Sequence, residues 1–504
     1  MPALLLLATL LLVQAAPPTP PDPAFAARSQ RGKELMAAGR YADAAAVYRE
    51  LVQALPGNAG LVLNLGMALH LAGQDRAALP HLESAHRLLP ESLPAALFLG
   101  AVNLRLGQAA AAVAPLQTAV RLEPDNPETR AMLVEALVGQ GRFLQAEPHL
   151  RRLAQMAPSD PAAWFNLGRT YEELAGQAAE DLLRRDSDSP YGLALLAEAR
   201  RKHGQDSAAF HLYREALARE PGLRGMHRAI AGLYRKASHA DWAAIEDQKE
   251  RALPPPDCGH DALECALAAG KYQEVAASAA SVKTAAAAYW LARAYEALAA
   301  QAFARLTALP PSAHSHQWTA EVKRDQRRYA ESAAEWRKAM ALAPDDPHLR
   351  VELAVTLRLA QDLAGAQTVL EQAVRAAPDE PEPNYLLGDV LLAQQQPERA
   401  IPLLEKAVRL GPKEPYGHGA LGRAYALVGR TAEAVPHLQQ ALAADADGSL
   451  RLQLARAYQA LGRSEQAKAA LEDYEAFRKA AAREGEAGER ESLPPPEGAA
   501  RPPG

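Results

Sequence analysis

Residues 59–92 read AGLVLNLGMALHLAGQDRAALPHLESAHRLLPES, and this stretch determines the fold. Its apolar and small residues stand three, four and seven positions apart, which is the spacing of two amphipathic helices. Gly73 interrupts the pattern, because glycine adopts the left-handed conformation that ends a helix at little cost. Pro90 ends the second helix, since proline has no amide proton. The stretch therefore predicts a helix-turn-helix unit.

The same pattern returns at a fixed interval along the chain. One position of the first helix, nearly always a small residue, recurs every 34 residues in two series: Gly32, Gly66, Gly100, Val134 and Gly168, and then Ala320, Ala354, Gly388 and Gly422. A single unit has too little apolar surface to fold alone, whereas stacked units share a continuous core. The chain is therefore predicted to be a tandem repeat of helix pairs.

This pattern closely resembles the tetratricopeptide repeat family of helix-turn-helix units. The first helix of the family is reproduced by Trp164, Leu167, Gly168 and Tyr171, and the second helix by Ala209, Tyr213, Ala216 and Pro221. The resemblance implies an all-α, right-handed α-α superhelical solenoid of about fourteen units, several of them degenerate.

The interval shortens at two places that carry similar text. After Gly168 the next equivalent residue comes five positions early, and after Ala292 it comes six positions early. The following residues read RTYEELAGQA at 169–178 and RAYEALAAQA at 293–302. We interpret this likeness as the duplication of a block of several units, with a tightened or fused helix pair at each place. Two independent loop deletions are the alternative.

Composition divides the chain into six segments. The pattern is weakest around LPPPDCG at 253–259, which cannot continue a helix and predicts an ordered elbow. The last residues are rich in Gly, Pro and charge, as in disordered segments. The predicted segments are a signal peptide at 1–16, a Pro-rich leader at 17–24, an N-terminal array at 25–221, a degenerate helical elbow at 222–284, a C-terminal array at 285–478 and a disordered tail at 479–504.

The N-terminal segment predicts export. Its apolar run of about ten residues is too short to span a bilayer and is followed by small residues near Ala15 and Ala16, as at a signal-peptide cleavage site. We expect a periplasmic or secreted protein with no stable membrane insertion after cleavage. A cytoplasmic protein is the alternative if Met1 is not the true start.

The two cysteines lie in the elbow. Cys258 and Cys265 are close enough in sequence to bridge a turn and the next helix in an oxidising compartment. Free buried thiols are one alternative. Metal binding is another, although with His260 the two sulfurs match no familiar zinc spacing. We expect a disulfide and no metal site.

The sequence offers little chemistry for catalysis. It has no phosphate-binding glycine loop, nucleophile elbow or zinc-protease motif, and we expect neither a cofactor nor enzymatic activity. The formal net charge of -5 argues against a dedicated nucleic-acid surface. A rival hypothesis places an enzyme site in the elbow, around Cys258, His260, Asp261 and Cys265.

The resemblance also implies where partners bind. In this family the first helices line a concave groove, and the corresponding residues here are mostly apolar with a few polar groups, which suits capture of a protein segment. Phe165 has an alternative role, packing between helices. The candidate groove residues are Leu63, Asn64, Met67, Phe98, Met132, Phe165, Asn166 and Arg169.

From these observations we expect a non-enzymatic scaffold or adaptor. It would bind protein or peptide segments in its groove, in assembly or secretion machinery of the cell envelope. The alternative function is an accessory subunit that positions substrate for a separate enzyme, such as polysaccharide synthesis or export machinery.

Overall fold

The computed structural model describes residues 23–280, 282–489 and 493–496. Within them all regular structure is helical, with 26 α-helices and one short 3-10 helix and no strand. The predicted all-α repeat is therefore confirmed. The predicted signal peptide and most of the leader lie outside the described residues. The chain forms two compact units, Met1–Pro158 (unit 1) and Ser159–Gly504 (unit 2), which we treat separately.

Unit 1 consists of four consecutive helix pairs. Side chains cap the first helices of three pairs: Asn58, Ser92 and Asn126 each accept a hydrogen bond from a backbone N–H of the first turn. Gly73 has a φ of 74° and ends its helix in the left-handed region, as the sequence predicts. The helices are α1 (Pro23–Ala37), α2 (Tyr41–Ala54), α3 (Ala59–Leu71), α4 (Asp75–Leu88), α5 (Leu93–Arg105), α6 (Ala109–Leu122), α7 (Pro127–Val138) and α8 (Phe143–Met156).

Close helix contact explains why a small residue recurs in each unit. A Cβ placed on Gly66 would lie 2.7 Å from Cγ of Leu82, and one on Gly100 would lie 2.4 Å from Cγ of Leu116. Those leucines belong to the second helix of the same pair and are fully buried. The 34-residue interval therefore marks the point where the two helices of a pair approach most closely.

Unit 2 contains two long helices, α9 and α16, among pairs of ordinary length. Its helices are α9 (Pro161–Asp186), α10 (Pro190–Lys202), α11 (Asp206–Arg219), α12 (Met226–Lys236), α13 (Ala240–Ala252), α14 (Ala262–Ala268), α15 (Tyr272–Ala279), α16 (Ala285–Ala308), α17 (Ala313–Asp325), α18 (Tyr329–Leu342), α19 (Pro347–Leu359), α20 (Leu363–Ala376), α21 (Pro381–Ala393), α22 (Pro397–Leu410), α23 (Pro415–Leu427), α24 (Thr431–Ala441), α25 (Ser449–Ala460) and α26 (Ser464–Glu489).

The two long helices pack on each other. The rings of Tyr171 and Tyr295, which hold matching places in the repeated text, stack with centroids 6.1 Å apart. Gly168 in the N-terminal half of α9 faces Phe303 in the C-terminal half of α16, since a Cβ on Gly168 would lie 2.6 Å from that ring. At the other end, Leu182 and Tyr289 share one core cluster. Each long helix thus serves as the first helix of one helix pair and as the second helix of another pair.

Each long helix also contacts the helix that follows the other long helix in the chain. Helix α10 follows α9 in the chain but also packs on α16, and α17 follows α16 but also packs on α9. The two stretches of similar sequence, in α9 and α16, therefore make reciprocal contacts in unit 2. The predicted fused pair is in fact two continuous helices, α9 and α16, which pack on each other. They begin more than a hundred positions apart in sequence.

The structure divides the chain at different places from those expected. The break falls after Pro158 and not at residue 221, because α9 is covered by α16 of the same unit. The expected elbow contains four helices, α12 to α15. The tail expected from residue 479 is helical to Glu489, and Leu493 is buried in the core cluster that contains Tyr234.

Candidate functional site

The first helices of unit 1 present an apolar face. Helices α3, α5 and α7 are neighbours, and their half-buried apolar side chains include Met67, Phe98 and Met132. Leu71 at the end of α3 is 39% exposed, and Val138 at the end of α7 is 37% exposed. We call these five residues the apolar face. Large apolar side chains left partly open on adjacent helices are suited to cover an apolar partner segment.

A polar network adjoins this face. Nδ1 of His70 lies 2.5 Å from Oδ1 of Asp75, whose other carboxylate oxygen forms an ion pair at 2.9 Å with Nε of Arg105. The His70 ring meets the Phe98 ring edge to face, with centroids 5.7 Å apart. The network therefore borders the apolar face through the contact of His70 with Phe98.

The eight residues predicted for the groove fall in different units. Five belong to unit 1 and lie on α3, α5 and α7; of these Leu63 is buried, whereas Asn64, Met67, Phe98 and Met132 are half-buried. The other three lie on α9 of unit 2. The structure therefore does not gather all eight into one described surface.

Phe165 packs between helices and also borders the cavity among α9, α17 and α19. It is only 7% exposed, with its centroid 6.5 Å from the Phe303 ring and 5.3 Å from the His314 ring. The residue therefore has features of both roles considered for it. Asn166 and Arg169 are exposed, and Nη1 of Arg169 donates a hydrogen bond at 2.8 Å to Glu172 of the same helix.

The first helices of unit 2 carry charges where those of unit 1 carry apolar groups. Ion pairs link one first helix to the next, and a cavity of about 470 Å³ opens among α9, α17 and α19. Burial raises the pKa of Glu172 and Glu321 in this cavity, against the opposing effect of Arg169. The inter-helix pairs are Arg169–Glu321, Arg324–Glu352, Arg358–Asp389 and Arg423–Asp389.

A second, larger cavity of about 860 Å³ occupies the matching place on the other side of the long helices. Arg293, which matches Arg169 in the repeated text, binds Glu198 at 2.6 Å and lies over the Tyr289 ring at 5.2 Å. Sequence reasoning did not identify this cavity. The repeated text around Arg169 and Arg293 was the available signal, because equivalent positions in a duplication build equivalent surroundings.

The elbow offers no reactive thiol. Cys258 and Cys265 form a disulfide with Cα atoms 5.6 Å apart. Nδ1 of the exposed His260 lies 2.8 Å from the Asp257 carboxylate. A disulfide sulfur cannot act as a thiolate nucleophile or metal ligand. Among residues 23–280, 282–489 and 493–496, no group of three or more His, Cys, Asp and Glu side chains could hold a metal ion.

None of the helices in the described part of the chain combines the length and the apolar character needed to cross a bilayer.

Family models of the tetratricopeptide repeat match both units. One model matches residues 103–167, 323–390, 357–424 and 391–449, a second matches 29–92 and a third matches 448–473. Together these matches cover more than half of the chain. The search of curated proteins finds no match.

Solved structures of repeat proteins are similar at low identity. A thermophilic tetratricopeptide repeat protein of Thermus thermophilus is 23% identical, with 32% of this chain and 90% of that chain covered and a TM-score of 0.28. Yeast Tom70 is 13% identical, with 90% and 91% covered and a TM-score of 0.29. The Cut9–Hcn1 hetero-tetramer of the APC/C is 12% identical, with 92% and 96% covered and a TM-score of 0.34.

Proposed function

The chain belongs to the tetratricopeptide repeat family and is a protein-binding repeat scaffold, and from this premise we propose that unit 1 captures an apolar segment of a partner protein on its apolar face. The observation that carries the proposal is the row Met67, Phe98 and Met132 on three neighbouring first helices. Because these side chains are already half-buried, complete burial of each by a partner contributes less than the roughly 1.5–3 kcal/mol expected for a fully exposed side chain.

The contrast between the two units supports this choice of surface. In unit 2 the corresponding first helices are joined by ion pairs such as Arg423–Asp389 at 2.7 Å. A partner segment there would have to replace charged contacts that are already made. In unit 1 the face presents Leu71 and Val138 to a partner, and Arg105 beside it is already paired with Asp75. An apolar segment therefore gains more by binding to unit 1.

We further propose that the scaffold is non-enzymatic and acts in the cell envelope, in assembly or secretion. The family supports a binding role, and the apolar N-terminal run supports export. Mass spectrometry of the mature N-terminus tests the compartment. A new N-terminus just after Ala15 or Ala16 supports export, whereas an N-terminus at Met1 or Pro2 contradicts it.

Site-specific photo-crosslinking in cells that naturally make the protein tests the binding face. A photoreactive amino acid replaces Leu71 on the face or, as a matched control, Leu144 on α8, which is 60% exposed. We expect one discrete partner to crosslink from position 71 and not from position 144.

Charge substitution then identifies the contact. Phe98→Asp should lower the crosslinking yield from position 71 at least tenfold, while Leu144→Asp should leave it unchanged. Circular dichroism verifies that both variants fold. An unchanged yield with folded Phe98→Asp would contradict the proposed face. A partner identified as a transferase or synthase would favour the accessory-subunit alternative over a general adaptor.

A further inference from the structure

Residues 493–496, Leu-Pro-Pro-Pro, lie against the last turn of α12. Leu493 is 8% exposed and belongs to the same core cluster as Ile230 and Tyr234. The hydroxyl of Tyr234 donates a hydrogen bond at 2.6 Å to the carbonyl oxygen of Pro494, across 260 positions of sequence. The segment is brought to this place by α26, which packs on α11.

The burial pattern of the segment fits a polyproline II helix. Leu493 and Pro496 are buried, while Pro494 and Pro495 are exposed. A polyproline II helix has three residues per turn, so positions i and i+3 share one side. Its carbonyl groups make no internal hydrogen bonds and remain free to accept one from a side chain such as that of Tyr234.

Aromatic rings pack around Tyr234. Tyr234 meets Phe210 of α11 and Trp242 of α13, each with centroids 5.5 Å apart, and His239 stacks on Trp242 at 4.0 Å. Surfaces lined with aromatic rings are a general means of recognising proline-rich segments, because rigid prolines lose little entropy on binding. Burial raises the pKa of Tyr234 to about 12, so its hydroxyl remains a donor at neutral pH.

The elbow contains the same four residues at the opposite end of α12. There the guanidinium of Arg224 donates a hydrogen bond to the carbonyl oxygen of Pro254, the first proline of the Leu-Pro-Pro-Pro at 253–256. Pro254 and Pro494 occupy the same place in the two copies. A side chain at each end of α12 therefore holds the first prolyl carbonyl of a Leu-Pro-Pro-Pro segment.

We propose that the surface of α12 around Ile230 and Tyr234 is a binding site for Leu-Pro-Pro-Pro segments of partner proteins, and that residues 493–496 occupy it as a competing segment of the same chain. This site lies on α12 of unit 2 and does not depend on the function proposed for unit 1. A tethered competitor acts at an effective concentration in the millimolar range, so a partner segment must outcompete it or meet the chain when it is released.

Peptide binding to the full chain tests the proposal. The probe is the fluorescent peptide RESLPPPEG, which copies residues 490–498, and the control peptide is RESDPPDEG. Fluorescence anisotropy compares the unaltered chain with the variant Leu493→Asp/Pro496→Asp. We expect the variant to bind the probe at least tenfold more tightly than the unaltered chain does, and to ignore the control peptide.

A tyrosine substitution locates the site. In the Leu493→Asp/Pro496→Asp background, Tyr234→Phe should weaken probe binding about fivefold through loss of one hydrogen bond. The matched control is Tyr213→Phe, which alters a buried tyrosine of α11 and should leave binding unchanged. Circular dichroism verifies folding, and Pro496→Asp alone provides a milder variant with the same expected direction.

Two results would overturn the proposal. The first is a folded variant that binds the probe no better than the control peptide. The second is a dimer of the unaltered chain in sedimentation that Leu493→Asp converts to monomers, since the segment would then come from a second copy and not from the same chain.

Discussion

The recurring small residues are required because their positions have no space for an added carbon atom. In unit 1 the glycine of the first helix leaves room for a leucine of the second helix, as Gly100 does for Leu116. Any added carbon meets a fully buried side chain that has no free space to move into. The regularity seen in the sequence is therefore a steric requirement at one position in each pair.

Substitution of glycines at two kinds of position should distinguish a steric effect from an effect of helix propensity. Gly100→Ala should destabilise unit 1 by about 1–3 kcal/mol, because the new Cβ overlaps the Leu116 side chain. Gly176→Ala, the matched control in the middle of α9, meets nothing within 4 Å and should stabilise unit 2 by about 0.5–1 kcal/mol. Urea unfolding followed by circular dichroism measures both. Destabilisation of similar size in the two variants would contradict the steric account.

A half-buried histidine should make unit 1 sensitive to acid. Burial, and next the charge of Arg130 at 3.0 Å, lower the pKa of His149. The unfolded chain then binds a proton below pH about 6.5 that the folded chain does not, so stability should fall as the pH drops from 7 to 5.

The histidine prediction is tested with His149→Gln, whose amide oxygen can still accept from Arg130. Urea midpoints at pH 7 and pH 5 should differ less in this variant than in the unaltered chain. His203→Gln, at an exposed histidine, is the control and should keep the full pH dependence. An identical pH dependence in His149→Gln and the unaltered chain would remove His149 as the cause.

At the scale of elements, the sequence determines the helices but not all of their partners. Periodicity is a local signal, and it correctly placed the pairs of unit 1 and the small residues between them. It could not show that α9 is covered by α16, because residues 187–284 separate the two helices. For the same reason periodicity could not show that Phe303 and His314 pack on Phe165.

The disulfide should stabilise one element only. It links Cys258 to Cys265 within α14 and closes a short loop. Because the stabilisation by a disulfide is smallest for short loops, Cys258→Ser/Cys265→Ser should cost about 2 kcal/mol at most. Hydrogen exchange should quicken in Ala262–Ala268 and remain unchanged in unit 1. Equal loss of protection in both units would show that the bridge has a wider role than we infer.

At the scale of the whole molecule, the two units should be separable at Pro158 and not at the elbow. A chain that ends at Pro158 keeps all four pairs of unit 1, whereas one that ends at Pro221 keeps α9 without α16. The second chain exposes side chains such as Tyr171 and Leu174, which are buried in the full chain.

We expect the chain that ends at Pro158 to unfold in one cooperative transition, and the chain that ends at Pro221 to aggregate or lose protection throughout α9. Circular dichroism and size-exclusion chromatography distinguish the two results. A well-behaved monomer from the chain that ends at Pro221, with α9 protected from hydrogen exchange, would contradict the pairing of α9 with α16.

The pairing of α9 with α16 also sets an order of events at the ribosome. Unit 1 can form pair by pair as it emerges, because each helix meets its partner within a few residues. Helix α9 instead emerges before residues 187–284 have been made, a delay of roughly 5–20 s at about 5–20 residues per second. Its apolar side remains uncovered for that time, so unit 2 should be the part of the nascent chain that needs a chaperone.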